Sequence, residues 1–350
     1  MNNNHDFTEG EILRPMLTFR GPVLLAMFLQ SLYGAVDLMV VGKFAEAADA
    51  SGVNTGSQVM MMLTFVVTSF SMAVTILMGQ HIGEKSPEKA GDVIGTGIIM
   101  FAVMAVAMTF AGVIFAPEIA AGLKAPRDAF NQTVSYIRVC SSGFVFIIAY
   151  NVMSGVFRGV GDSVMPLISV TIASVFNIIG DLFFVKGMGM GAKGAAIATV
   201  MAQVISVILS TFIISKRKMP FILTKDKLRI DKSIAKKIFS LGTPLLLQDI
   251  LVSISFLFLL AITNSRGVIV SAGVGIAERL CGFIMLVPSA FSQSISAFVA
   301  QNVGAKRMDR ANTALKYALV VSVCVGLVIA YVAYFHGDIL CEIFSNNPEI

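Results

Sequence analysis

Residues 31–42 read SLYGAVDLMVVG and close an apolar segment that runs from 21 to 41. At 1.5 Å of rise per residue, a helix of that length crosses the ~30 Å hydrocarbon core of a bilayer. Asp37 lies inside it, four residues from its end. A carboxylate in such a helix costs about 3 kcal/mol on insertion scales, so it is expected to face a protein interior or a wet cavity. The alternative is an acid that snorkels to headgroups ~6 Å away by helix rise.

Composition sets the class. Of 350 residues, 56% are hydrophobic and 13% charged, about half the charge of a soluble domain. Mean hydropathy is +0.82. The reading is a polytopic, all-α membrane protein; the ten-residue alternating segments of a membrane β-barrel do not occur. The net charge of +5 does not point to nucleic acid, because the basic residues gather in particular loops. Cys140, Cys281, Cys324 and Cys341 are far apart and read as inert thiols. His5, His81 and His336 are isolated, so there is no zinc pattern. The first apolar segment is too long, and lacks a small-residue cleavage site, for a cleavable signal peptide.

Nine spans are expected, at 21–41, 57–80, 93–115, 133–157, 164–185, 194–214, 238–263, 276–301 and 314–335. The apolar run at 339–344 is too short to be a tenth. With the N-terminus in the cytoplasm, inside segments hold eighteen Lys and Arg and outside segments six. That bias selects this orientation. Nine of the eighteen lie in the loop 215–237. Arg138 and Arg279 fall within or at the edge of spans, Arg279 beside Glu278.

The chain repeats itself around that loop. GQHIGEK at 79–85 is answered by AQNVGAK at 300–306, and EKA at 88–90 by DRA at 309–311, all at an offset of 221. Gly52-Val53 answers Gly273-Val274 at the same offset, and Gly21-Pro22 answers Thr243-Pro244 at 222. Six spans, an even number, precede the loop, so the two halves point the same way. A substrate path between them is then expected. The division is a first lobe at 1–214, a basic linker at 215–237 and a second lobe at 238–350. Three spans of the second lobe have no counterpart of spans four to six. The expectation is a truncated sequence, short of roughly 85 residues by repeat arithmetic; a natural nine-span protein is the other reading.

Asp181 also lies four residues before the outer end of its span, in NIIGD at 177–181. Asn177 is one turn below it on the same face. Thr199 matches this depth in the sixth span, and Tyr136 is near the outer end of the fourth. Gln30 and Tyr33 share a face with Asp37. Two close carboxylates in a low dielectric hold a proton or a cation between them, which makes the cluster a candidate for coupling H+ or Na+ to movement. A structural polar cluster is the plain alternative; Asn and Thr suit it, two acids do not.

Other residues divide between roles. Asp249, near mid-membrane in the seventh span, is either a secondary proton site or a cavity acid; the competing reading is a structural bridge to Arg279. Pro22 opens the first span and is a candidate hinge; Pro166, Pro244 and Pro288 lie in others. Met60, Met61 and Met62, with the 26 phenylalanines, could line an adaptable apolar cavity, though most of these face lipid or core. RGVGD at 158–162 is a Gly-rich turn without the Lys of a phosphate loop, so no nucleotide site is read. No His/Asp or Cys/His constellation in the spans suggests an enzyme.

Together, YGAVDLMVVG, GQHIG, AQNVGAKRMDRA, FRGVGDSVMP and NIIGD resemble the multidrug and toxic compound extrusion (MATE) transporters along essentially the whole chain. The resemblance implies twelve spans in two lobes forming a V, and export of cationic or amphipathic compounds by antiport with Na+ or H+. It places Asp37, Asn177, Asp181 and Thr199 on a first-lobe cation site, which would hold Na+ if sodium is the coupling ion. It places Tyr136 on the network around that site and Pro22 where the first span bends in some members. No cofactor beyond the coupling ion is implied, and a monomer in the bacterial inner membrane is expected. One departure stands out: some members carry an acid early in span seven after Gly-x-Pro, where this chain has Gln248 followed by Asp249. A lipid-linked precursor flippase of the same superfamily is the runner-up; it calls for a basic central cavity, whereas the intramembrane charges here are mainly acidic.

Overall fold

The computed structural model describes residues 7–217, 219–264 and 268–336. Some side chains between 257 and 279, Arg279 among them, lie outside that description, as do His5, Cys341 and the apolar run at 339–344. Eleven α-helices cover the described residues, and none of these residues is in a strand. In chain order they are α1 Leu13–Phe44, α2 Ala47–Gly83, α3 Pro87–Ile114, α4 Ala116–Gly122, α5 Phe130–Ser142, α6 Phe144–Gly159, α7 Val164–Asp181, α8 Gly191–Lys216, α9 Lys232–Asn264, α10 Val268–Gly304 and α11 Met308–Phe335. Among the described residues eight stretches are long and apolar enough to span a bilayer, and the pair Arg127–Ser142 with Phe144–Gly159 makes a ninth if read as one broken span. The chain is a multi-pass membrane protein.

Two local features differ from the sequence expectation and a third adds to it. The fourth span is two helices meeting at 52°. They join at Gly143, where a Cβ would strike the Val200 side chain of α8. The missing side chain at Gly143 lets α8 press close against the break. Second, α1 begins at Leu13, eight residues before the expected start. Residues 13–20 are helical because Met16 and Phe19 have a core to enter: both are buried with Phe7, Ala297 and Phe298. Pro22 is therefore interior to α1, where it removes a backbone hydrogen bond, and does not open the helix. Third, RGVGD is a capping device. Asp162 Oδ1 accepts the Val164 and Met165 amides at 3.0 and 3.1 Å, and Oδ2 accepts Arg217 Nη1 at 3.0 Å. The first free amides of α7 are thus satisfied and its entry is tied to the end of α8.

α2 is central, packing against α3, α5, α6, α9 and α10. Its Ser71 and Thr75 hydroxyls donate across to the Asn151 and Gly155 carbonyls of α6 at 2.8 and 2.9 Å. Between membrane helices such bonds and small residues allow close packing where hydrophobicity supplies no drive. α2 also crosses α10 closely: a Cβ on Gly79 would come 2.9 Å from that of Ala300. Beyond the crossing, the segment Phe7–Gly10 is held by the second half of the chain. Arg310 donates to the carbonyls of Phe7, Glu9 and Gly10, Arg307 to that of Thr8, and Asn302 to that of Phe7.

Loop 219–231 lies against the glycine face of α3. A Cβ on Gly91 or Gly95 would meet the carbonyls of Ile222 and Lys227. Thr96 Oγ1 donates to Arg229 O and accepts from Asp231 N, both at 3.2 Å. Lys227 pairs with Asp92 at 3.3 Å.

Candidate functional site

α1 packs along α7, and α7 along α8. The α7–α8 contact is close because Gly180 carries no side chain: a Cβ there would come 3.0 Å from that of Ala198. These two contacts bring the neighbouring residues, Asp181 and Thr199, to the Asp37 side chain. Immediately after Asp181 the helix widens into a π-helical turn, Leu182–Gly187, of the kind that often marks a functional position.

The site is buried and polar. Asp37 is 4% exposed, and Asn177 and Asp181 are 0% exposed. Thr199 Oγ1 is 3.0 Å from Asp37 Oδ2 and 3.0 Å from the Ala195 carbonyl, so its single proton is shared between two acceptors. The Asp181 carboxyl and the Asn177 amide abut the Asp37 carboxyl. Tyr136 from α5, buried one turn before Cys140, is an electrostatic neighbour of Asp37. Gly56 of α2 makes room for the Tyr136 ring, which any Cβ there would strike. Tyr33 lies one turn along α1 from Asp37, with Gln30 three residues before it on the same helix.

Among the described residues, Asp37 Oδ1, both Asp181 oxygens, both polar atoms of the Asn177 amide and Gln203 Oε1 are buried with no hydrogen-bond partner. Leaving such groups unpaired costs about 1–3 kcal/mol each, more when charged. A cluster with this many open acceptors, two of them carboxylates, has the donor set that a proton or a hard cation would satisfy. The structure thus brings Asp37, Asn177, Asp181, Thr199, Tyr136 and Tyr33 together, with Gln30 one turn further along α1.

Asp249 does not join them. It lies on α9, which packs against α2, α3 and α10, and its carboxylate accepts Ser69 Oγ at 3.0 Å. The suggested Asp249–Arg279 pairing involves a side chain outside the described residues. Gln203 is the residue that sequence reasoning missed. It is 6% exposed, and its Nε2 donates to the Tyr33 hydroxyl at 3.3 Å. Its position four residues after Thr199, hence on the same helix face, was the available signal.

A bundle of membrane-spanning helices with a buried two-carboxylate site on its first and seventh helices has the organisation of a multi-pass transporter. Comparison with known proteins makes this specific. The MatE family model matches residues 22–183 and again 244–350, two matches that start at Pro22 and Pro244. The chain belongs to the MatE family and is a MATE transporter. It is 25% identical over 353 residues to the probable multidrug resistance protein YoeA of Bacillus subtilis, covering 98% of this chain and 75% of that one. It is 21% identical to the multidrug export protein MepA of Staphylococcus haemolyticus, covering 98% and 76%. In fold it is similar to a crystal structure of a MATE protein in the bent conformation, with TM-score 0.91, 20% identity and coverage of 97% and 76%. It is equally similar in fold to a MOP superfamily transporter from Pyrococcus furiosus, with TM-score 0.90, 20% identity and coverage of 99% and 77%.

Proposed function

We propose that this chain works as a secondary exporter of cationic or amphipathic compounds, driven by antiport with Na+ or H+. The observation that carries the reading is the buried Asp37–Asp181 pair with its unpartnered oxygens. Two acids so placed need a proton or a cation for neutrality, and an ion that neutralises them on one side of the membrane can leave on the other. Asp37, Asn177, Asp181 and Thr199 are the residues that would hold the transported Na+, through oxygen atoms alone. The names of relatives, as multidrug resistance and multidrug export proteins, support the substrate class.

The organisation that goes with this function is two same-facing lobes at 1–214 and 238–350, joined by the basic linker 215–237. The N-terminus is cytoplasmic in a bacterial inner membrane, the protein acts as a monomer within the bilayer, and the substrate path runs between the lobes. The repeated motifs and the distribution of Lys and Arg support this arrangement. A lipid-linked precursor flippase is disfavoured by an acidic site where a pyrophosphate would need a basic one.

The deciding experiment is transport of a fluorescent cation in vesicles of controlled orientation, with sodium and proton gradients imposed separately. Transport driven by sodium alone makes the cluster a sodium site. Transport driven by protons alone makes it a protonation switch. No exchange under either gradient overturns the antiport reading.

A further inference from the structure

The segment Phe7–Gly10 is seated in the second half of the chain as a bound peptide would be. Phe7 is 1% exposed, its ring 5.2 Å from that of Phe19 on α1 and 5.0 Å from that of Phe298 on α10. The main chain from Phe7 to Gly10 is read by four side chains of α10, α11 and the turn between them. Gln301 Oε1 accepts the Phe7 amide at 3.3 Å, and Asn302 Nδ2 donates to the Phe7 carbonyl at 3.1 Å. Arg307 Nη1 donates to Thr8 O at 2.9 Å. Arg310 Nη1 donates to Gly10 O at 2.7 Å, and Nη2 to the Phe7 and Glu9 carbonyls at 3.2 and 3.3 Å. Its Nε donates to Asn302 Oδ1 at 3.2 Å, so the whole guanidinium fork is engaged.

The internal repeat shows that this grip is not a by-product of the helical turn. At the offset of 221, Asn302, Arg307 and Arg310 correspond to His81, Ser86 and Lys89, and those three side chains bond to Glu84 instead. The segment also joins parts on opposite sides of the lobe boundary. It runs on into α1, whose later turns carry Asp37 and pack with α7 and α8. Gln301, while holding Phe7, donates from Nε2 to Gly159 O at the end of α6 at 3.0 Å. Phe7, Phe19 and Val23 share one core with Ala297, Phe298 and Ala314. When two lobes rock apart at this end of the bundle, as a path between them requires, the segment lies across the parting line. Its bonds at Glu9 and Gly10 are exposed, so water can take the place of Arg310 there.

We propose that Phe7–Gly10 is a latch: docked on Asn302, Arg307 and Arg310 it holds this end of the bundle shut, and it leaves that site each time the end opens. The end is the cytoplasmic one in the orientation proposed above, and the antiport reading supplies the motion that opens it. Phe7 is the apolar anchor of the latch, and Arg310 is its directional grip.

The test tethers the latch reversibly. Glu9 and Ala305 line one cleft beside the α10–α11 turn. Glu9→Cys and Ala305→Cys are introduced into the full chain together with Cys281→Ser, Cys324→Ser and Cys341→Ser, while the buried Cys140 is kept. The pair is bridged with a bifunctional methanethiosulfonate, and ion-driven efflux of a fluorescent cation is measured in proteoliposomes. Bridging should reduce efflux to the protein-free background, a reductant should restore it, and a monofunctional reagent should leave it unchanged. A bridged protein that exchanges at the unbridged rate overturns the proposal and leaves the antiport reading standing.

Opening is also read without any gradient, from the rate at which N-ethylmaleimide modifies Ser294→Cys. Ser294 is 2% exposed, on the α10 face that carries Ala290 and Ala297. Loss of one charge-assisted hydrogen bond is worth about tenfold in an equilibrium, so Arg310→Lys, which breaks the fork, should raise that rate about tenfold. Melting midpoints identify a variant that fails to fold, and Phe7→Ala then takes the place of Arg310→Lys. Ser206→Cys, 1% exposed within the first lobe, should be modified no faster. A rise at both cysteines, or at neither, overturns the proposal. If the unbridged protein shows no efflux under either gradient, the antiport reading falls and these rates decide the latch alone.

Discussion

Gly83 rests directly on the main-chain carbonyl of Gln301, and 221 residues later its repeat counterpart Gly304 rests in the same way on the carbonyl of Gln80. Gln80 and Gln301 are themselves counterparts, so the contact is reciprocal, as a two-fold axis between α2 and α10 requires. The helix ends beyond it match as well. Lys85 and Lys306 take left-handed conformations with φ of 55° and 59°, and each helix closes with the same pair of reversed backbone bonds. The short sequence repeat is the imprint of this crossing.

Gly83→Ala and Gly304→Ala should each drive a methyl group into a carbonyl that cannot retreat. Overpacking of this kind costs about 1–3 kcal/mol. Because the contact is reciprocal, the two variants should lower the melting midpoint in detergent by similar amounts. Gly326→Ala, with nothing within 4 Å of an added Cβ, is the control that should not.

Asp37→Asn and Asp181→Asn should each abolish ion-driven efflux, with membrane insertion and folding retained. Thr199→Val should be milder, since it removes one hydrogen bond to a carboxylate worth about 1.5–3 kcal/mol. That converts to roughly a ten- to hundredfold weaker apparent ion affinity at 1.4 kcal/mol per decade. Ion-titrated efflux from proteoliposomes, with protein levels measured alongside, checks all three; efflux by both Asn variants at wild-type rates would remove the cluster from the mechanism.

Asp162→Ala should destabilise without altering ion dependence. It deprives the Val164 and Met165 amides of their acceptor and frees Arg217. Loss of a capping side chain costs about 0.5–2 kcal/mol. A lower melting midpoint with an unchanged apparent ion affinity is the expected pair of results.

A hydrogen bond from His81, helped by Lys89 and opposed by partial burial, holds the Glu84 carboxyl below the usual glutamate range. A depressed folded-state value stabilises above the unfolded-state value of about 4.3 and is lost as pH falls through the lower folded one. Acidification below pH ~4.3 should therefore lower the melting midpoint slightly more for wild type than for Glu84→Gln. The effect is small because the pair is solvent-screened.

Much of the candidate site was legible in the chain itself. Carboxylates at 37 and 181, each four residues from the end of an apolar segment, announce one depth in the membrane. Depth is a one-dimensional property, set by counting residues at constant rise. Gln203 escaped notice because a lone glutamine near the middle of an apolar helix has no partner until the fold supplies Tyr33. The placement of Asp249 beside Ser69, away from the other acids, escaped for the same reason.

What the amino-acid order determined alone was membrane class, number and depth of apolar segments, and the internal repeat. All of these follow from local composition and spacing, which act through transfer free energy and helix rise. Only the tertiary structure decided which helices are neighbours, and therefore which polar groups meet. The missing side chain of Gly180 brings α7 and α8 together beside Asp181 and Thr199, and that of Gly143 lets the fourth span break against Val200. In a bilayer the apolar surface of one helix resembles that of any other, so neighbours are chosen by close steric fit and buried hydrogen bonds. Those depend on three-dimensional shape, which residue spacing along a single helix does not encode.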